Sequence, residues 1–246
     1  MKSSRRKNEL MQRLQVFSEL FGVQINNIRY YYKVFGNFIF EMICDNEAIT
    51  FMSDRGEIAV NNQYVLDDSY HIVGQPDNQD RVLEEMALVC AEKRRINQVR
   101  YSVSQCMRML SSKNYLMRAY ATFFFPLCEN EKTLNDQIDL LESFFKVEQD
   151  GWTRLFFVRQ LLRLGQDKYF TYFASAINSP DVRVRKIMIH FIPDIIDCLS
   201  VKNYHILQFF LEEREKIEGN ILGTEFIWNQ IVKKLNYHFA SEHKEV

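Results

Sequence analysis

Two stretches of the chain, SKNYLMRAYATFFFP (Ser112–Pro126) and SPDVRVRKIMIHFIP (Ser179–Pro193), align without a gap. Each opens on Ser, places Asn or Asp two residues later and Arg four residues after that, and closes on F-x-P. DGWTRLFFVRQLL (Asp150–Leu162) repeats the frame more loosely, and a degenerate copy starts at Asn220, where Thr224 replaces the arginine. The starts Asn114, Asp150, Asp181 and Asn220 lie 36, 31 and 39 residues apart, within the period of stacked helical repeats. An Asn or Asp ahead of an apolar run accepts hydrogen bonds from the unpaired N–H groups of a first helical turn, so these positions read as N-caps. Arg118, Arg154 and Arg185 then sit one turn in, where they are expected to reach a carboxylate or cap on the neighbouring repeat. The constellation reads as a structural ladder of Asn114, Arg118, Asp150, Arg154, Asp181 and Arg185.

Each capped helix follows an amphipathic one, over 97–111, 133–147, 166–178 and 203–217. In the second of these Leu134, Ile138, Leu141 and Phe145 form the apolar stripe. After Asp181, one apolar face is Val184, Ile187, Met188, Phe191 and Ile195, and a second is Ile189, Ile192 and Ile196. A helix apolar on two sides must be packed on two sides. Pro126 and Pro193, late in their helices, are expected to kink or end them by removing a backbone donor. The SPDVRVR stretch resembles the opening of the second helix in HEAT and armadillo repeats, over roughly Asn97 to Tyr237. That resemblance implies an all-α solenoid that binds partners, usually proteins, and it transfers no catalytic residue.

The chain before this region has a different period. From Lys7 to Phe21 the spacing is helical, with apolar residues at Leu10, Leu14 and Phe17. IRYYYKVFGNFIFEMICDNEAITFMSDRGEIAV follows, rich in aromatic and β-branched residues and broken by GN, DN and DRG. Asn and Gly tolerate the positive φ of tight hairpins, so Gly36-Asn37, Asp45-Asn46 and Asp54-Arg55-Gly56 read as turns. They divide the segment into antiparallel strands near 28–35, 38–44, 48–53 and 57–61, with a fifth at Tyr70–Val73. GQPDNQD (Gly74–Asp80) reads as a linker. The expected fold is therefore a small α+β domain over 1–78, a helix on an antiparallel β-meander, followed over 79–246 by an all-α, HEAT-like solenoid. The chain is mostly helical overall.

A composition 47% hydrophobic and 26% charged is that of an ordered globular protein. The net charge of −1 supplies no field to gather nucleic acid or an anionic membrane. Cys44, Cys90, Cys106, Cys128 and Cys198 are odd in number and form no C-x-x-C pair, so they read as reduced, mostly buried thiols of a cytoplasmic protein. The basic start lacks the apolar run of a secretory signal, and no window has the length of a membrane span. The histidines, His71, His190 and His205 among them, have no metal-ligand spacing, and the Gly-rich loops of cofactor and phosphate sites do not occur. The expectation is no catalytic residue, no cofactor and no metal.

Function is expected to be recognition. Within the repeat, Phe123, Arg159 and His190 occupy one frame position yet differ in chemistry, which marks them as exposed partner-binding candidates. Asp54, Arg55 and Glu57 would present charge at a hairpin tip. Trp152 and Trp228 read as packing anchors, Arg183 and Lys186 as a solvated face, and Lys93–Arg95 as a short basic run able to touch a phosphate backbone. The DRG after a strand in a small helix-plus-sheet unit resembles bacterial toxin-immunity proteins. That resemblance implies a bacterial immunity or adaptor protein that binds and occludes a toxin or effector. The alternative is a nucleic-acid-binding helical-repeat protein.

Overall fold

A computed structural model describes residues 2–31, 37–54, 57–66, 78–125 and 134–218. The strand expected at Tyr70–Val73, Gly36, Arg55, His71, Pro126, Cys128, Trp228 and the degenerate copy at Asn220 lie outside them, as does the side chain of Glu57. The chain forms two compact units, Met1–Glu131 and Lys132–Val246.

The first unit begins with helix α1 (Lys2–Phe21). Leu10, Leu14, Phe17 and Phe21 lie on one side of it and are all buried. Gly22 ends the helix with a φ of +60°, a conformation in which a Cβ would be strained. Five antiparallel strands follow in sequence order: β1 (Gln24–Tyr31), β2 (Asn37–Cys44), β3 (Glu47–Asp54), β4 (Glu57–Val60) and β5 (Gln63–Leu66). Alternation along β2 buries Phe38, Phe40, Met42 and Cys44, and these join Ile49, Phe51 and Ile58 on the covered face of the sheet. The β-meander and its helical cover thus form as expected.

Several boundaries differ from the sequence reading, each for a local reason. β1 starts at Gln24 and carries an irregularity at Asn27, which sits at φ +54°. Its bulge hid the strand's period. Asn37 belongs to β2, paired with Tyr31, instead of forming a turn with Gly36. A strand also forms at Gln63–Leu66, because Asn61 and Asn62 both adopt positive φ and close a two-residue hairpin at the end of the expected fourth strand. Residues Asn78 to Asp80 of the expected linker are already helical.

Helices α2 (Asn78–Ile96), α3 (Val103–Leu110) and α4 (Tyr115–Phe124) share the first unit with the sheet. α2 packs on α1, β3, β4 and α4. Arg94, near the end of α2, joins these parts. Its guanidinium donates to the Phe21 carbonyl at 2.6 Å, the Tyr120 hydroxyl at 3.0 Å and the Tyr101 hydroxyl at 3.3 Å. The first of these caps the C-terminus of α1, where a cation also meets the helix dipole. Tyr101 and Tyr120 share a 2.6 Å hydrogen bond, and burial pushes the Tyr120 pKa up.

The second unit contains α5 (Leu134–Val147), α6 (Gly151–Arg163), a 3-10 turn at Asp167–Tyr169 leading into α7 (Phe170–Ser175), a second at Ala176–Asn178, α8 (Val182–Ile195), a third at Ile196–Cys198, and α9 (Val201–Glu218). α6 packs against α5, α7 and α8, and Trp152 to Leu162 are buried except for Arg154, which is half-buried. Both expected apolar faces of α8 are buried, which accounts for their width. The Phe156 and Phe191 rings meet edge to face at 4.8 Å between centroids. Gly151 lets α6 approach α8, since a Cβ there would lie 3.3 Å from Val184 Cγ2. Pro193 lies in the last turn of α8, which ends two residues later and tightens into a 3-10 turn. The sequence expectation of one helix over 166–178 resolves into α7 between two 3-10 turns. Among the described residues no helix is long and apolar enough to cross a membrane.

Replacing Arg94 with Met removes the donor to the Phe21 carbonyl and the two bonds to the Tyr101–Tyr120 hydroxyl pair. Urea unfolding should show a loss of about 2–3 kcal/mol, against less than about 0.5 kcal/mol for Ala at exposed Arg95.

Candidate interaction surface

The repeated frame has a repeated local structure. The Asn114 side chain accepts hydrogen bonds from the backbone N–H groups of Leu116 and Met117, Asp150 from Thr153, and Asp181 from Arg183. All three are the N-caps read from the sequence. Two residues upstream of each cap, a second side-chain oxygen accepts from the cap's own N–H: Ser112 Oγ, Glu148 Oε1 and Ser179 Oγ. The shared Ser of the first and third copies, and the Glu of the second, therefore close the turn before the helix.

The arginines act differently from the expectation. Arg118 donates to the carbonyls of Ser112 and Lys113, at 2.9 and 3.0 Å, and Arg185 to those of Ser179 and Pro180, at 2.6 and 3.3 Å. Each turns back onto its own pre-cap turn and satisfies carbonyls that no helix pairs. Arg154 instead lies between the rings of Phe145 on α5 and Tyr172 on α7, 4.6 and 4.9 Å from their centroids. Burial raises the Tyr172 pKa, and the neighbouring Arg154 opposes the rise. The reach from one cap to the next belongs to Arg183, read from the sequence as solvated. Its guanidinium bonds its own cap Asp181 at 2.7 Å and lies 3.6 Å from Asp150, the cap of the preceding copy.

Of the three variable positions, only His190 is exposed. Phe123 is buried, and Arg159 has no accessible surface at all. Arg159 Nε donates to Asp194 Oδ2 at 2.7 Å, and its guanidinium lies over the Phe191 ring. Variation at this frame position thus spans two interior residues, Phe123 and Arg159, and one exposed residue, His190. Asp54 ends β3 and accepts a hydrogen bond from Asn37 of β2, so its carboxylate braces the sheet. In the basic run, Lys93 pairs with Glu47 and Arg94 is the internal latch, leaving Arg95 outermost. Trp152 packs on Phe156, as an anchor does.

On the surface of α5, Glu142 takes Lys168 at 2.5 Å and Lys146 at 3.9 Å. The Lys168 hydrogen bond holds the Glu142 carboxyl below its usual value, with Tyr169 adding a second one. Burial, with Glu142 beside it, pushes the Tyr169 pKa up to about 12. No three His, Cys, Asp or Glu side chains converge in a metal-holding group among the described residues.

Two features present surface to a partner. The first unit has a cleft of about 280 Å³ with Phe17, Leu83 and Leu116 in its walls and the Arg13–Asp80 ion pair at its edge. It is smaller than the roughly 300–1,000 Å³ of drug-sized ligand pockets. The second unit has an open face on α9. Tyr204, Leu207 and Leu211 turn inward and are buried, and α9 packs on α7. Lys202, His205, Ile206, Phe209 and Glu213 turn outward, with Phe209 60% exposed, Ile206 at its centre and polar residues around them. The sequence showed α9 as amphipathic but gave no sign that its outward face is apolar in the middle, because Phe209 and Phe210 are adjacent and only one can face the core. No protein-family model, curated protein or solved structure matches the chain.

Two measurements check this account. Asp194→Ala removes the carboxylate that faces the buried Arg159 and should cost about 3–5 kcal/mol, whereas Arg159→Met with Asp194→Asn removes both charges and should cost less than the single change. Acid should remove the contribution of Glu142. Its folded pKa is depressed, so its stabilisation is complete above the ordinary value of 4.5 and is lost as pH falls below it. Melting temperatures of the native chain and Glu142→Gln should converge as pH drops through that window.

Proposed function

We propose that this chain is a non-enzymatic protein-binding protein, built as a small α+β domain with a HEAT-like helical repeat, and that it works by occluding a partner such as a toxin or effector. The reading rests on the outward face of α9. An aromatic side chain 60% exposed, beside Ile206 and rimmed by Lys202, His205 and Glu213, has the make-up of an interface centre: an apolar anchor within a polar border. Leaving such a side chain in water costs stability that burial against a partner recovers. The frame arginines are engaged within the fold, which weakens the nucleic-acid reading. Buried free thiols at Cys44, Cys90 and Cys106 suit a reducing, cytoplasmic setting.

The test is affinity capture with the full chain followed by direct binding to the recovered protein. Phe209→Ser should weaken that binding about 30-fold, the scale of a hot-spot residue, while Met11→Ser on α1 leaves it unchanged. Equal binding by the Phe209 variant, or salt-sensitive recovery of nucleic acid alone, would sink the reading.

A further inference from the structure

Three sulfur atoms meet between β2 and α2. Met42 and Cys44 occupy alternate positions on β2 and so project from the same face. Cys90, on α2, donates its S–H to Met42 Sδ at 3.6 Å and lies beside the Cys44 thiol. All three side chains are buried to within 1% of full exclusion. A trigonal metal ion with bonds of about 2.3 Å to sulfur holds its ligands about 4 Å apart, close to the 3.6 Å between Cys90 and Met42. Thiolate and thioether together select soft ions, Cu(I) above all.

We propose that Met42, Cys44 and Cys90 form a binding site for Cu(I). The ion displaces the two thiol protons to solvent and takes two thiolates and one thioether, with no change in its oxidation state. Two thiolates and a monovalent cation leave one negative charge, and Arg94, one turn beyond Cys90 on α2, supplies the compensating positive one. Entry is short: Cys44 is the last residue of β2, next to the exposed Asp45-Asn46 turn. Asp45 accepts there from Asn97 at 3.3 Å and from Arg94 at 3.5 Å, and parting these contacts opens the end of the strand. The proposal is independent of the α9 face, which lies in the other unit.

The experiment titrates the reduced full chain anaerobically with Cu(I) buffered by bicinchoninate, and reads the metal's sulfur neighbours by X-ray absorption. One equivalent should bind at three sulfurs. Met42→Leu, a substitution that keeps apolar volume, should fold normally, lose one sulfur neighbour and bind at least about 10-fold more weakly, the lower bound of a perturbed coordination shell. Cys44→Ala and Cys90→Ala should lose the site, and Cys198→Ala should leave it intact. Cu(I) affinity unchanged in Met42→Leu or in Cys44→Ala would overturn the assignment.

Discussion

A buried helix end leaves backbone groups that water cannot reach, and much of this chain is arranged around closing such ends. In the repeated frame one side chain accepts from the first-turn N–H groups, and another, two residues earlier, accepts from the cap itself. At Arg118 and Arg185 the same frame then supplies a donor for the carbonyls of that turn. A three-part solution to one problem explains why Ser, Asn or Asp, and Arg recur at fixed offsets. Arg94 meets the opposite problem, an unpaired carbonyl at the C-terminus of α1, and in doing so ties α1 to α2 and α4.

The sequence was most legible where local chemistry has one answer. Caps follow from Asn114, Asp150 and Asp181 because few residues accept from a helix N-terminus, and the faces of α8 follow from its apolar spacing. The β-meander followed from alternation, yet the strand at Gln63–Leu66 was missed because Asn61-Asn62 was not weighed as a turn, although Asn supports the positive φ it shows. Where a side chain has several answers, the sequence was silent. Arg185 could have reached outward, forward or back, and Arg183 could have been solvated. Which of them touches Asp150 depends on how closely α6 and α8 approach, and Gly151 sets that distance.

The candidate surface was the least legible part for the same reason. Exposure at the position shared by Phe123, Arg159 and His190 was inferred from chemical variety, and variety proved a poor guide. An interior accepts Arg159 when Asp194 neutralises it and Phe191 covers it, at a desolvation cost that an apolar residue would avoid. The pair is therefore better understood as fixing how α6 meets α8 than as adding stability.

Charge in the described helices is for the most part turned to internal use, and this shapes where recognition can occur. Arg118, Arg154, Arg159, Arg183 and Arg185 each hold a carbonyl, a ring or a carboxylate of their own unit. None of these five is therefore free to grip a phosphate backbone. What α9 offers instead is Phe209, whose neighbour Phe210 is half-buried, so that two adjacent aromatics serve opposite sides of one helix.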